Sequence, residues 1–348
     1  MNIQKKLQPL QTKLQQLSEV ESLRPFKTLF ETAEGIIFGV RDVTAEAPHF
    51  LDHIELKRYM GMVLLSLLPT TFAAIYFFGW PAIQIIVASY VAGGLVEVTF
   101  ALIRNKDIEE GFLVTGLIFP LTLPPTTPLW VVMVGSAFGV FFGKEVFGGT
   151  GRNIFNPALV GRLFITIAFP QIMSTAWQAP FTDTVTSATP LSVYKSARAI
   201  PAIMDLVLGQ TTGSMGELFR LGIVVGGIFL MVTKVSNWRV PVSYLASVFV
   251  LAGVGTIFMP AQIAGPGFQL ISGGLLFGAM FMATDPVTSP FTNSGKYIFG
   301  ISCGLLTVLI RAFSGYTEGV MFSIICMNAL APLIDHSILR FKYRTAKP

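Results

Sequence analysis

Long apolar blocks separated by short polar segments dominate the chain from about residue 59 onward. Blocks such as 62–78 and 222–232 are apolar on every side of a helix, whereas a soluble amphipathic helix keeps one polar face. Uniform apolarity over such lengths is typical of helices that span a bilayer. The apolar runs predict ten spans, near 59–78, 82–103, 111–123, 128–143, 158–173, 218–233, 240–258, 268–284, 297–312 and 319–335.

The composition supports a membrane protein. Of the 348 residues, 52% are hydrophobic and only 12% are charged, whereas a soluble domain carries about 25% charged residues. So few charges would not cover the surface of a soluble protein of this size. We therefore predict an all-α polytopic membrane protein in the lipid bilayer, with an interfacial amphipathic segment 1–58, a ten-helix domain 59–335 and a basic tail 336–348.

The basic residues predict the orientation of the spans. With ten spans both termini lie on one side, and residues 1–58 alone contribute eight Lys and Arg to that side. The opposite loops contain only Lys195 and Arg198, while Arg162 lies early in span five, near the inside. This bias satisfies the positive-inside rule, so we expect cytoplasmic termini. No secretory signal peptide is expected, because residues 1–58 lack a short apolar stretch before a small-residue cleavage site.

Spans three and eight carry signs of broken helices. They end at Pro124-Pro125 and at Asp285-Pro286, where proline removes a backbone donor and disfavours further helix. The stretch 111–120 (GFLVTGLIFP) also resembles 274–282 (GLLFGAMFM). If the two correspond, the chain is a five-plus-five inverted repeat whose broken helices meet near the midplane. Chance similarity between two apolar runs is the alternative.

The longest outer loop, about 174–217, contains the hydroxyl-rich stretch TDTVTSATPL at 182–191. Serine and threonine in a loop ordinarily serve turns through hydrogen bonds to the backbone. A threonine hydroxyl is also a possible acceptor for a phosphodiester. Thr189 stands between a small neighbour, Ala188, and a rigid one, Pro190, which would expose its hydroxyl.

Two inner loops, 143–157 and 285–296, carry glycine and amide side chains. Glycines at 148, 149 and 151 allow positive φ and close approach of a flat ligand, although the loop is neither a Walker A loop nor a dinucleotide fingerprint. Asn153, Asn156 and Asp285 together offer hydrogen bonds to the edge of a heterocycle. The alternative is that the asparagines only cap helices and turns.

Glu97 and Asp335 are carboxylates within or at the ends of predicted spans. Intramembrane charge is costly, so such groups are functional candidates for binding sodium or protons. A solvated carboxylate at the interface is the alternative. Cys303 and Cys326 are far apart in sequence, so we expect no metal cluster in this chain.

Several runs together resemble one family: the B subunit of the sodium-translocating NADH:quinone oxidoreductase and its relative, the D subunit of the Rnf ferredoxin:NAD oxidoreductase. The resemblance covers nearly all of the chain beyond about residue 50. One departure is Ser187, where family members commonly have glycine. The runs are ELKR (55–58), Gly93-Gly94 with Glu97, EGF (110–112), KEVFGGTGRN (144–153), FNPAL (155–159), Ala188-Thr189, MATDP (282–286), TNSGK (292–296) and PLIDH (332–336).

The resemblance implies two flavins. Thr189 would carry FMN through a phosphoester bond, added by a flavin transferase on the outer face of the membrane. A non-covalent riboflavin would bind at the inner loops, where Asn153, Asn156 and Asp285 fall on family positions near it.

The resemblance also implies a quinone site and a sodium pathway. The amphipathic N-terminal segment would lie at the inner interface and cover the quinone pocket. The positions carried over are Gly93, Gly94, Glu110 and Phe112 for ubiquinone, and Glu97 and Asp335 for sodium.

The function implied is electron transfer from the covalent FMN through riboflavin to ubiquinone, coupled to sodium export across a bacterial inner membrane. The implied partners are the FMN-carrying C subunit, the membrane-embedded D and E subunits, the NADH-oxidising F subunit with its FAD and iron–sulfur cluster, and the A subunit; nucleic acid is not expected. Two alternatives stay open. One is the D subunit of an Rnf complex, and the other is a transporter or channel that carries no flavin.

Overall fold

The computed structural model describes residues 56–104, 111–182 and 187–343. Every regular element in these ranges is helical. The predicted segment 1–58 falls almost wholly outside them, as does Glu110. The helices are α1 Leu56–Phe78, α2 Trp80–Arg104, α3 Gly111–Leu121, α4 Leu129–Gly143, α5 Pro157–Ala168, α6 Pro170–Thr175, α7 Pro190–Ala197, α8 Ile203–Leu208, α9 Arg220–Val232, α10 Arg239–Phe258, α11 Pro266–Ile271, α12 Leu275–Phe277, α13 Asn293–Phe313 and α14 Val320–Lys342, with a 3-10 turn at Glu145–Phe147 and a π-helical segment at Gly278–Met282.

Six helices are long and apolar enough to cross a bilayer: α1, α2, α4 with its 3-10 extension, α10, α13 and α14. They contain 19 to 25 residues, and a helix needs about 20 residues to span the hydrocarbon core. Large apolar side chains such as Ile257 and Phe258, each 77% exposed, cover the outside as on a lipid-facing surface. The prediction of an all-helical, multi-pass membrane protein is confirmed.

The other four predicted spans contain only short helices. α3 has 11 residues, α5 has 12 and α9 has 13, while span eight is divided among α11, α12 and the π-helical segment. The prolines signalled the ends of spans three and eight. Pro170 carries the same signal within predicted span five, and α5 stops at Ala168, two residues before Pro170 begins α6. The count of ten spans stays a prediction. The last helix continues to Lys342, so no break separates span ten from the start of the predicted tail.

Small residues let the helices of the core approach closely. α2 packs on α4, α4 on α5, and α10 on α13. A Cβ added to Gly139 would lie 2.9 Å from the backbone nitrogen of Gly161, and one added to Gly300 would lie 2.8 Å from the carbonyl of Val240. Membrane helices associate through such contacts because the bilayer supplies no hydrophobic drive between them.

Buried arginines donate hydrogen bonds to backbone carbonyls at the ends of the short helices. Arg220 Nε donates to the carbonyl of Ile271, at 2.7 Å, and Arg311 donates to the carbonyls of Gln269 and Ser272, at 2.8 and 3.0 Å. The last carbonyls of a helix lack intrahelical partners, so these side chains make the break at residues 272–274 tolerable inside the protein. At the end of α3, the carbonyl of Leu121 accepts from the amide of Gly216, at 2.7 Å.

The close contact between α10 and α13 predicts that Gly300→Val destabilises the protein. The new side chain would collide with backbone atoms of α10, and overpacking of this kind costs about 1–3 kcal/mol. The matched control is Gly253→Val on α10, where an added Cβ meets nothing within 4 Å. Thermal unfolding in detergent should give a clearly lower Tm for Gly300→Val than for the control. Equal Tm values would show that the contact is not tight.

Candidate functional site

A cavity of about 700 Å³, here called the inner cavity, opens beside the predicted inner loops. It brings together Asn153 and Asn156 from the first loop and Asp285 from the second, three residues that the sequence proposed as one group. Its polar lining consists mainly of Tyr59, Lys144, Thr150, Asn153, Asn156, Ser236 and Asp285.

Glycine turns and asparagine hydrogen bonds shape the first loop. Gly148, Gly149 and Gly151 have φ of 115°, 104° and 87°, which confirms the expected positive-φ backbone. Asn156 caps α5 by accepting from the amide of Ala158, at 3.0 Å. The Asn153 side chain donates to the carbonyl of Phe155, at 3.1 Å. The capping role that the sequence left as an alternative is therefore present, and the same side chains line the cavity.

Asp285 begins the second loop and is held by its own turn. Its carboxylate accepts from the amide of Val287, at 3.1 Å, and from the Thr288 hydroxyl, at 3.2 Å. Burial raises the pKa of the Asp285 carboxyl, and these two hydrogen bonds oppose the rise. In the same cavity the Ser236 hydroxyl is buried and has no hydrogen-bond partner within the described ranges. A buried polar atom of this kind fits a ligand that carries hydrogen-bonding groups.

A second cavity of about 670 Å³, here called the outer cavity, opens beside the loop 174–217 and includes Thr189. Thr189 caps α7, its hydroxyl accepting from the amide of Ser192 at 3.3 Å. The Thr189 side chain is half-buried and its neighbour Ala188 is exposed. Ser187, the residue that departs from the family pattern, forms a hydrogen bond between its hydroxyl and the Thr212 hydroxyl, at 2.6 Å.

Charged side chains that the sequence did not single out line the outer cavity. They are Arg162, Glu217 and Glu318. Burial raises the pKa of the Glu217 carboxyl, and the Glu318 carboxylate raises it further, while Arg220 opposes the rise. The sequence placed Arg162 near the inner side, whereas it lies in the wall of the outer cavity. The cost of an arginine inside a span was the signal that would have found it.

The two cavities lie back to back. Three segments of the chain each contribute a residue to both cavities, and the two residues of each pair are at most four positions apart, which is about one turn of helix or 6 Å along its axis. The pairs, with the inner residue first, are Ile118 on α3 and Thr122 in the turn that follows it, Pro157 and Leu159 on α5, and Phe281 and Met282 in the π-helical segment.

Glu97 is buried and its carboxylate pairs with the Lys144 ammonium, which is also buried. Lys144 lines the inner cavity, so one side chain connects Glu97 with that cavity. The adjacent Glu145 pairs with Arg104, at 3.0 Å. The alternative that Glu97 is a solvated carboxylate at the interface is therefore wrong: the side chain is buried, and Lys144 supplies the partner that a buried charge needs.

Asp335 is buried as well, but in a different network. It accepts from the amides of Phe291 and Thr292, at 2.8 and 3.1 Å, and from the Thr292 hydroxyl. These bonds fix the start of α13 and the end of the loop that begins at Asp285. Glu97 and Asp335 have different partners, so their shared role in a sodium pathway stays a prediction.

The candidate quinone residues separate into two groups. Gly94 faces Phe112, where an added Cβ would lie 3.1 Å from the ring. Gly93 instead faces Ser136 of α4, at 2.9 Å from an added Cβ. Gly111, next to Phe112, lines the inner cavity, so Gly94 and Phe112 lie beside that cavity. Glu110 lies outside the described residues.

Comparison with known proteins decides the family. The sequence model of the NQR2, RnfD, RnfE family matches residues 43–344. This chain belongs to the NQR2, RnfD, RnfE family.

Three curated relatives share one name, which designates the B subunit of the Na(+)-translocating NADH-quinone reductase. The proteins from Azotobacter vinelandii and Pseudomonas aeruginosa are each 35% identical, over 90% of this chain and 91% of theirs. The protein from Klebsiella pneumoniae is 33% identical, over 93% of this chain and 95% of its own. The family resemblance that the sequence motifs indicated is confirmed.

The contacts of Asp335 predict that Asp335→Ala lowers the Tm in buffer with or without sodium. The change removes the acceptor for two backbone amides, and hydrogen bonds to a charged group are worth about 1.5–3 kcal/mol each. His336→Ala is the control, because His336 is exposed on the same helix. If Asp335→Ala were as stable as the control in sodium-free buffer, the carboxylate would not hold this loop.

Proposed function

We propose that this chain is the flavin-carrying membrane subunit of a redox-driven sodium pump that reduces ubiquinone. The names of the curated relatives support the pump and the quinone. The observation that carries the flavin assignment is the pair of back-to-back cavities, one containing Thr189 and the other containing Asn153, Asn156 and Asp285. Two redox groups held there would be separated by about one turn of helix.

FMN at Thr189 suits the outer cavity. The Thr189 hydroxyl lies at the rim beside exposed Ala188, and a phosphoester there would leave the rest of the group free to enter the cavity. The Nη1 atom of Arg162 is buried and has no hydrogen-bond partner among the residues described, which fits an electronegative ligand.

Riboflavin suits the inner cavity. A flavin supplies reversible electron transfer where it is bound, and the protein supplies its position and electrostatics. The amides of Asn153 and Asn156 and the carboxyl of Asp285 would hold the polar edge of the ring. Ser236, which lines the same cavity, would supply a further hydrogen bond.

Lys144 offers a route from electron transfer to cation binding. It lines the inner cavity and pairs with Glu97, so negative charge added to the cavity competes with Glu97 for the ammonium. A weakened pair frees the Glu97 carboxylate to bind a sodium ion, and Asp335 would act at a separate point of the pathway. Quinone would bind beside the same cavity, near Gly94 and Phe112. Quinone reduction must supply about 2.3 kcal/mol for each charge that is exported against a potential of 100 mV.

The proposed architecture is ten spans in a five-plus-five inverted repeat. The support is that the same two spans of each half pack together. Spans two and four (α2 and α4) and spans seven and nine (α10 and α13) form two of the most extensive helix contacts. We place both termini in the cytoplasm of a bacterial inner membrane, in a complex with the A, C, D, E and F subunits.

The D subunit of an Rnf-type complex is the second candidate, since the family model includes that branch and Ala188-Thr189-Pro190-Leu191 looks like its flavin site. The names of the curated relatives favour the quinone reductase. A transporter without flavin would lack the ligand that is proposed here to accept hydrogen bonds from the buried polar atoms of Arg162 and Ser236.

The phosphoester assignment predicts that Thr189→Ala abolishes covalent flavin. The chain is expressed with a flavin transferase, denatured, and examined by in-gel flavin fluorescence. The wild type and the control Ser196→Ala, which removes an exposed hydroxyl from the same helix, should fluoresce, because both keep the Thr189 hydroxyl. A dark wild type beside a fluorescent control flavoprotein would refute covalent FMN in this chain.

The inner-cavity assignment predicts that Asp285→Ala lowers the riboflavin released on denaturation by about tenfold, since a good hydrogen bond to a charged or strongly polar group is worth about 1.5–3 kcal/mol. The measurement is chromatography of flavin extracted from the purified chain. Asn293→Ala changes an exposed residue away from the cavity and should keep the wild-type content. Equal riboflavin in the two variants would place the flavin elsewhere.

A further inference from the structure

Arg162 carries a charge in the outer cavity to which the proposed function assigns no specific role. It lies near the middle of α5, and its Nη1 atom is buried with no hydrogen-bond partner in the described part of the chain. Arginine is always protonated, so this atom is a permanent donor in a cationic group. A buried donor left unpaired is costly, which points to a ligand that accepts from it.

The neighbouring carboxylates balance the charge of Arg162 but leave Nη1 unbonded. Glu217 and Glu318 line the same cavity and interact electrostatically with the guanidinium. Glu217 accepts from the amide of Ser214, at 2.8 Å, and Glu318 pairs with Arg311, at 3.0 Å. The guanidinium carbon lies 5.8 Å from the centre of the Trp177 ring, so an aromatic surface adjoins the free donor.

The position of Arg162 decides which part of a tethered flavin it meets. Thr189 lines the cavity next to exposed Ala188, whereas Leu159 and Met282 adjoin residues that line the inner cavity. Arg162 follows Leu159 by three residues on α5, so it stands about one turn from Leu159. A flavin joined to Thr189 through its phosphate would carry its ring at the far end of the ribityl chain, away from Thr189 and towards the other lining residues, Arg162 among them.

We propose that Arg162 donates its Nη1 hydrogen to the ring of the flavin joined to Thr189 and thereby raises the redox potential of that flavin. This inference rests on the proposed function, since it requires covalent FMN at Thr189. Arg162 is a positioning and tuning residue, and it is distinct from the attachment site.

The chemistry is a change of charge beside a fixed cation. The flavin accepts one electron from a reductant, which is a partner redox carrier in the complex or dithionite in the test, and the reductant is oxidised by one electron. No bond of Arg162 breaks and its protons stay in place. The negative charge gained by the ring strengthens the hydrogen bond from the guanidinium, so the reduced form is stabilised more than the oxidised form.

The test is a redox titration of the full chain, purified after expression with a flavin transferase. The signal of the covalent flavin is the absorbance change that Thr189→Ala lacks. We expect Arg162→Met to weaken the relative stability of the reduced form about tenfold, a fall of about 59 mV for a one-electron couple. Arg162→Lys should shift less, because it keeps the charge but loses the guanidinium geometry.

The control is Arg198→Met, which removes an exposed arginine that directly follows α7, the helix that Thr189 caps. It should titrate like the wild type. In-gel fluorescence of every variant shows whether the flavin is attached.

An unchanged potential in a fluorescent Arg162→Met chain overturns the inference and leaves the proposed function standing. Weaker attachment with an unchanged potential also overturns it, because Arg162 would then meet the phosphate. If Arg162→Met does not fold, Arg162→Lys decides, and a wild-type potential in that variant overturns the inference. A dark wild type refutes covalent FMN and the inference together.

Discussion

The structure depends on a requirement of the bilayer: every backbone polar group within it needs a partner. α3, α5 and α9 have 11 to 13 residues and are about 17–20 Å long, whereas the hydrocarbon core is about 30 Å thick. One end of each of these helices therefore lies inside the protein, where its free carbonyls or amides must be satisfied: the end of α3 at Leu121, the start of α5 at Pro157 and the start of α9 at Arg220 are all buried.

The same requirement places polar side chains deep in the bundle. Arg220 and Arg311 bond carbonyls at the break in span eight, and Asn156 caps the start of α5. Where the short helices meet, two cavities form, and each keeps a buried polar atom without a hydrogen-bond partner in the described ranges, on Ser236 or on Arg162. A fold that must build polar helix ends inside the membrane thus also provides walls suited to polar, flat ligands.

Simple patterns in the sequence predicted much of this arrangement. Apolar length predicted the six long helices, because each crosses the bilayer unaided. Pro124 and Pro286 signalled interruptions, since proline removes a donor wherever it stands. The positive-inside rule predicts that spans four and eight end on the same side of the membrane. Asn153 and Asp285 follow these spans, and they line one cavity.

Other features depend on contacts between distant segments, and no local pattern in the sequence indicates them. Asp335 bonds the amides of Phe291 and Thr292, and nothing near Asp335 in the sequence indicates those partners. A full crossing by span five would put Arg162 near the inner side. Because α5 is a short helix, Arg162 lies in the wall of the outer cavity instead.

The proposed function requires that one chain holds two flavins, one on each side of a wall about one turn of helix thick. Native mass spectrometry of the purified chain, expressed with a flavin transferase, tests this requirement most directly. We expect one FMN that remains after denaturation and one riboflavin that is lost on denaturation. A chain that carries a single flavin, or none, would contradict the proposal.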